Sequence, residues 1–192
     1  MYRLFNKGMT KVAFTTSRDP SNKTRTFLKD IISVIPGSKK FTRGTQNLSF
    51  TLTKLHSEGF EVAVVINSVK GNPNFWRVFN LSSSEYEEFP FAIKLRGLTL
   101  SRDYHAKKIR QPSNLILISN IDISEERILR TIFNITEQNI DDLERNSHLT
   151  MYADYIDKDE RIIFIEFLDS ENNSVGPRMK IKIVSRKIET AN

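Results

Sequence analysis

FTTSRDPSNKTRTFLKDIISVIPG, residues 14–37, changes character twice within a few positions. An apolar strand end, Lys11 to Thr16, reaches a polar corner at Ser17 and Arg18, and Asp19 with Pro20 then predicts a helix start. Asp is a favoured N-cap because its carboxylate accepts a bond from an otherwise unpaired backbone N–H, and proline suits the first helical position. Phe27, Ile31, Val34 and Ile35 recur at helical spacing and predict a buried stripe, which Pro36 and Gly37 end. Ser17, Arg18, Asn22, Lys23 and Arg25 crowd the first turns. A helix N-terminus exposes backbone donors and the positive end of its dipole, so Ser17, Arg18, Lys23 and Arg25 are candidate phosphate contacts. The same residues also suit a plain solvated first turn.

Outward from this stretch, Lys39 and Lys40 lead through Phe41 to a turn at Arg43-Gly44. Thr45 is a candidate N-cap for a second helix that carries Leu48, Leu52 and Leu55 and is closed by Gly59. LSFTLT (48–53) alternates like a strand as well, and the glycine stop favours the helix. VAVVI (62–66) is apolar at consecutive positions, as a central strand covered on both faces requires. Lys70, with Gly71 and Asn72 before Pro73, predicts a turn with free backbone donors, readable as a plain turn or as a phosphate-facing loop. Trp76 and Val78 alternate with Phe75, Arg77 and Phe79, and Trp76 is expected in the core rather than under a base. Phe89, Phe91, Ile93 and Leu95 recur at period two, with Pro90 pointing to an edge strand or a strand start.

GLTLSRDYHAKKIRQP (97–112) reads as a basic linker in which Arg102, Lys107, Lys108 and Arg110 concentrate charge and Tyr104 and His105 are possible stacking groups. The second half opens as the first did, with an apolar strand, NLILISN (114–120), before a capped helix. Ser124 is its expected N-cap, Glu125 and Glu126 suit the dipole, and Ile123 is expected to staple to Ile128. Thr136 repeats the device, with Ile135 and Ile140 as the pair. TMYADYI (150–156) and RIIFIEFL (161–168), joined by DKDE, predict a hairpin whose Asp157, Asp159 and Glu160 read as a charged turn rather than as metal ligands. In the last strand Arg178, Lys180 and Lys182 face one side and Met179, Ile181 and Ile183 the other. Cations would then repeat every ~6.6 Å along a rigid track, facing solvent or an RNA backbone. Strand, helix, helix and further strands thus occur twice, over 11–96 and 113–188.

Four segments carry a resemblance when taken in order. They are the Thr-Ser-Arg strand end with its Asp-Pro pair and basic helix, FTRGT (41–45), VINSVKGNPN (65–74) and SVGPRMKIKIV (174–184). Over about Lys11 to Ile188 they resemble the Brix-domain family of ribosome-biogenesis proteins, in particular its short single-domain archaeal members similar to the Imp-type small-subunit processing factors. The resemblance implies one Brix domain over 1–192, an α/β (α+β) fold made of two tandem lobes. Each lobe would be a mixed sheet with helices, similar to the anticodon-binding domain of class II aminoacyl-tRNA synthetases. It implies binding of ribosomal RNA or its precursor, other ribosome-assembly proteins as further partners, and no catalytic activity. Arg43, Lys70 and Asn72 fall on its motifs, and Arg178, Lys180 and Lys182 follow its Gly-Pro pair.

Composition bounds these readings. With 192 residues and 39% hydrophobic content the chain can bury a core. No apolar run approaches the ~18 residues of a membrane span, and MYRLFNKGMTK lacks the apolar centre of a signal peptide. Absence of cysteine removes disulfides and thiolate metal sites and fits a cytoplasmic location, or a nucleolar one in a eukaryote. His56, His105 and His148 lie too far apart for a local metal motif. The net charge of +6 is unevenly spread. Residues 1–111 hold 19 Lys and Arg against 8 Asp and Glu, and residues 112–192 hold 10 against 15. A basic front half implies a polyanionic partner, because displaced counterions favour association with phosphate. The chain has no GxxxxGK[ST] loop, no HExxH pair and no recognisable Ser-His-Asp set. The expectation is therefore a non-catalytic RNA-binding protein without cofactor, metal or small-molecule substrate. Its contacts would be Ser17, Arg18, Lys23, Arg25, Lys39, Lys40, Arg43, Lys70, Asn72, Arg102, Lys107, Lys108, Arg110, Arg178, Lys180 and Lys182. A protein-docking module and a nucleic-acid enzyme are the alternatives.

Overall fold

A computed structural model describes residues 10–83, 85–136 and 148–186. These form nine strands: β1 (Val12–Thr16), β2 (Lys39–Lys40), β3 (Val62–Val69), β4 (Asn72–Asn80), β5 (Glu87–Thr99), β6 (Asn114–Asn120), β7 (His148–Asp157), β8 (Ile162–Leu168) and β9 (Ser174–Ser185). Three helices, α1 (Asn22–Val34), α2 (Leu48–Ser57) and α3 (Ile123–Ile132), and a 3₁₀ turn at Ser101–Tyr104 complete them. All nine strands belong to one mixed sheet in the order β2-β1-β3-β4-β5-β9-β8-β7-β6. β1 runs parallel to β2 and β3, β6 runs parallel to β7, and every other neighbour is antiparallel. The path β1-β3-β4-β5 thus has the same order and directions as β6-β7-β8-β9, and the two paths meet where β5 pairs with β9. No helix of the described residues is long and apolar enough to cross a membrane.

Period-two alternation divides the sheet into two faces. One carries Val12, Phe14, Val64, Ile66, Trp76, Ile93, Met151, Ile165, Phe167, Met179 and Ile181, all buried in a core shared with Phe27, Leu28, Ile31 and Val34 of α1 and Leu129 and Ile132 of α3. The opposite face is covered over β1, β3 and β4 by α2, whose Leu52 and Leu55 pack on Ala13, Ala63, Val65 and Phe79. β3 is therefore covered on both faces, as its consecutive apolar run requires. Trp76 is fully buried, and 48–57 is a helix because Leu52 and Leu55 fall on one helical face.

Several boundaries differ from the sequence expectation. Asp19 does not cap α1. It takes a left-handed φ of 50°, Pro20 lies before the helix, and Ser21 is the cap, its hydroxyl accepting from the Thr24 N–H at 3.1 Å. Asn47, not Thr45, caps α2, accepting from the Phe50 N–H at 2.7 Å. At α3 the cap position is Asp122, not Ser124, and its carboxylate is drawn instead to Arg161 at 2.8 Å. Ile123 is the first helical residue and 63% exposed, so it makes no staple. The helix expected after Thr136 and its Ile135–Ile140 pair lie outside the described residues. β5 is neither an edge strand nor starts at Pro90. It lies between β4 and β9, and the proline is tolerated where the β4–β5 register slips between Arg77 and Phe79.

Candidate nucleic-acid interface

The N-terminus of α1 is not an open seat. Lys70 and Gly71, at φ 48° and 77°, form a two-residue turn between β3 and β4, and this turn docks against the helix. Ser21 Oγ donates to the Gly71 carbonyl at 2.6 Å, the Thr24 and Ser68 hydroxyls lie 2.8 Å apart, and Lys23 Nζ donates to Asn72 Oδ1 at 2.9 Å. Ser21 thus satisfies a helix donor and a turn carbonyl together. Ser21→Ala should lower stability by about 1–2 kcal/mol, read as a shift of the urea midpoint. An unchanged midpoint would mean that solvent replaces both bonds.

Arg43 belongs to a second group. Its Nε donates to the Gln46 carbonyl at 2.7 Å in the segment before α2. Burial, then the charges of Arg18 and Arg77, push its guanidinium below the usual arginine range. Arg77 lies on β4 on the α2 side of the sheet and is balanced by Glu88 at 2.5 Å. Arg18, Arg43 and Arg77 therefore gather near the C-terminal end of β1, and Glu88, which pairs with Arg77, also pairs with Arg186.

The last strand projects its cations from that same side. Met179 and Ile181 are buried under α1, so Arg178, Lys180 and Lys182 face away from it. Lys23 and Arg25 belong to α1 and hence to the other side of the sheet. Arg178 lies 2.7 Å from Glu166 and stacks over Tyr104 at 4.4 Å, and Lys182 lies 3.0 Å from Glu160. Lys180 is exposed and makes no ion pair among the described residues. Lys94, which the sequence reading passed over, stands directly opposite Lys182 on β5. The order Arg43, Arg77, Lys94, Lys182, Lys180 thus crosses the sheet from α2 to the β5–β9 junction.

The remaining candidates lie apart from this row. Lys39 and Lys40 are the edge strand β2. Lys107, Lys108 and Arg110 are exposed in a segment fastened to the end of α1, where the Gln111 amide shares its N–H groups among the Ile32, Ile35 and Ser38 carbonyls at 2.7–3.0 Å. Arg102 lies 3.6 Å from Asp103. Tyr104 donates its hydroxyl to the Gly176 carbonyl and its ring to Arg178, so it is already occupied. In the second half the end of α3 that corresponds to the start of α1 is acidic. Glu125 is buried there between the Tyr155 hydroxyl and Arg161, 3.1 Å away. The tip of the β7–β8 hairpin is closed by the Glu160 N–H donating to Asp157 at 2.8 Å.

No family model matches the chain. A probable Brix domain-containing ribosomal biogenesis protein of Sulfurisphaera tokodaii is 27% identical over 177 residues, 92% of this chain and 94% of that one. The chain is homologous to archaeal Brix-domain proteins. The fold is shared with a probable ribosomal biogenesis protein from Aeropyrum pernix K1, whose crystal structure gives a TM-score of 0.75 at 22% identity over 95% of this chain and 99% of that one. It is also shared with Mil, an archaeal Imp4-like protein, at a TM-score of 0.60 and 17% identity over 90% and 99% of the two chains. The Brix-like segments have definite places in the structure. Thr16-Ser17-Arg18 ends β1, Gly71 completes the turn that docks on α1, and Gly176-Pro177-Arg178 forms an irregularity in β9.

Proposed function

We propose that this chain is a non-catalytic RNA-binding factor in ribosome biogenesis that holds precursor ribosomal RNA in a fold or pairing state in the cytoplasm. The relatives' names support the process. The observation that carries RNA binding is the basic row from Arg43 through Arg77, Lys94 and Lys182 to Lys180 on one side of the sheet. Its repeated β-α-β-β-β path supports a domain of two half-repeats, 11–96 and 113–188, each similar to the anticodon-binding domain of class II aminoacyl-tRNA synthetases. Phosphates displace the carboxylates of Glu160 and Glu166 from Lys182 and Arg178, freeing one cation of the row and adding a second beside it.

If about six phosphates are neutralised, log affinity falls with log salt at a slope near −5, by analogy with B-DNA. Fluorescence anisotropy with a labelled rRNA fragment between 50 and 200 mM KCl should therefore show about a thousandfold loss. A slope near zero would rule out a phosphate-led contact. Lys94→Glu with Lys180→Glu should cost at least about tenfold in affinity at an unchanged Tm. Equal affinity would remove the row from the interface. A second reading, docking of an assembly partner, has its own observation. Ile118 on the edge strand β6, 48% exposed, stands opposite Tyr152 on β7, 38% exposed, with Ile156 further along at 51%. Partners retained after nuclease treatment and lost on Ile118→Asp would support it.

A further inference from the structure

The same side of the sheet carries two phenyl rings, each beside a lysine. Phe75 of β4 stands opposite Lys94 of β5, and Phe164 of β8 stands opposite Lys180 of β9. Both phenylalanines are partly exposed, because their neighbours Trp76, Ile163 and Ile165 take the buried face. The Arg186 guanidinium lies 5.8 Å from the Phe75 ring centroid, so a base on Phe75 shares that ring with it or takes its place. The two pairs occupy corresponding strands of the repeated path and flank its β5–β9 junction. Lys94 and Lys180 make no ion pair among the described residues, unlike Arg178 and Lys182 beside them. The stem of Lys180 lies against Gly97, its Cδ only 3.2 Å from where a side chain would begin. A larger residue there would lift the lysine off the sheet.

We propose that this face is a single-strand site, in which unpaired bases stack on Phe75 and Phe164 while the intervening phosphates meet Lys94, Lys180 and Lys182. The inference rests on the RNA-binding reading and names the form of RNA. β4 and β8 are three strand spacings apart, about 14 Å, which unstacked nucleotides laid across β5 and β9 bridge. A sheet face bearing aromatic rings between cations serves splayed bases, since every base has a face to stack, whereas an A-form duplex keeps its bases stacked inside and offers phosphates and 2′-hydroxyls. Acidic polypeptide is the competing ligand for such a surface. Its carboxylates match the lysines but offer no ring to lay on Phe75 and Phe164.

The test compares the full chain with its Phe75→Leu and Phe164→Leu variants, which keep apolar bulk and should keep the wild-type Tm. Probes are a labelled 12-nucleotide oligouridylate, a blunt RNA hairpin whose loop is replaced by a polyethylene glycol linker, and polyglutamate. Each substitution should weaken oligouridylate binding about tenfold and change hairpin binding less than twofold. Oligouridylate and hairpin bound equally well, with neither variant altering either, would overturn the single-strand site and leave RNA binding standing. No binding of either RNA would overturn both. Polyglutamate that binds as tightly as oligouridylate and loses affinity in the same variants would assign the face to an acidic protein segment instead.

Discussion

Trp76→Ala should destabilise the protein by about 4 kcal/mol, the largest loss expected from any single side chain described. Trp76 is fully buried at the centre of a chain of rings that crosses the molecule. Its centroid lies 5.6 Å from Phe27 of α1 and 6.4 Å from Phe133 at the end of α3, and Phe133 lies 5.9 Å from Phe167 of β8. Truncation therefore opens a cavity that neither half can close alone. The indole N–H meets no acceptor among the described residues, so Trp76→Phe, which removes it and keeps a ring, should cost less than about 1.5 kcal/mol. Urea unfolding followed by circular dichroism should show one transition for the wild type and both variants. Two separated transitions would mean that the halves are energetically independent and that the ring chain does not couple them.

Gly176→Ala should cost about 3 kcal/mol. Gly176 has φ 69°, where a Cβ strains the backbone by roughly 1–2 kcal/mol. That Cβ would also sit 2.4 Å from Cγ1 of Val34, a stiff β-branched side chain on the last turn of α1, adding roughly 1–3 kcal/mol of overpacking. The two contributions separate in a double-mutant cycle. In a Val34→Ala background the clash disappears and the backbone strain stays, so Gly176→Ala should cost at least about 1 kcal/mol less. Additive losses would place the effect in the backbone alone.

That glycine shows what the sequence could and could not yield. Gly176-Pro177-Arg178 is visible as a motif, but its reason is not. Three β9 residues there face the single β8 residue Glu166, and the slip lets α1 approach the strand. The apolar runs that make β1, β3, the β7–β8 hairpin and the stripe of α1 were legible because burial alone dictates their period. Caps were not. Asp19, Thr45 and Ser124 satisfy local rules, yet Ser21 wins by also bonding the Gly71 carbonyl fifty residues away, and Asp122 turns from its helix to Arg161. Arg18, Arg43 and the β9 cations were legible as charge. That Lys23 and Arg25 lie across the sheet from them depends on which face α1 covers, a tertiary fact. Phe75, Arg77, Lys94 and Phe164 were missed because each is an ordinary outward residue of an alternating strand. Only the register that sets Phe75 beside Lys94, and Phe164 beside Lys180, gives them meaning. Reading the outward positions of every strand together, rather than motif by motif, was the signal available.

The central pairing of the sheet joins residues far apart in the chain, Lys94 with Lys182 and Phe91 with Ser185. During synthesis β5 is complete long before β9 leaves the ribosome, and in that interval its hydrogen-bonding edge and the floor beneath α1 lack their cover. Closing so long a loop is slow, and an unpaired strand invites the wrong neighbour. A nascent chain of this architecture spends its vulnerable period before β9 emerges, so truncations within β9 should send it to aggregation rather than to a half-sized folded product.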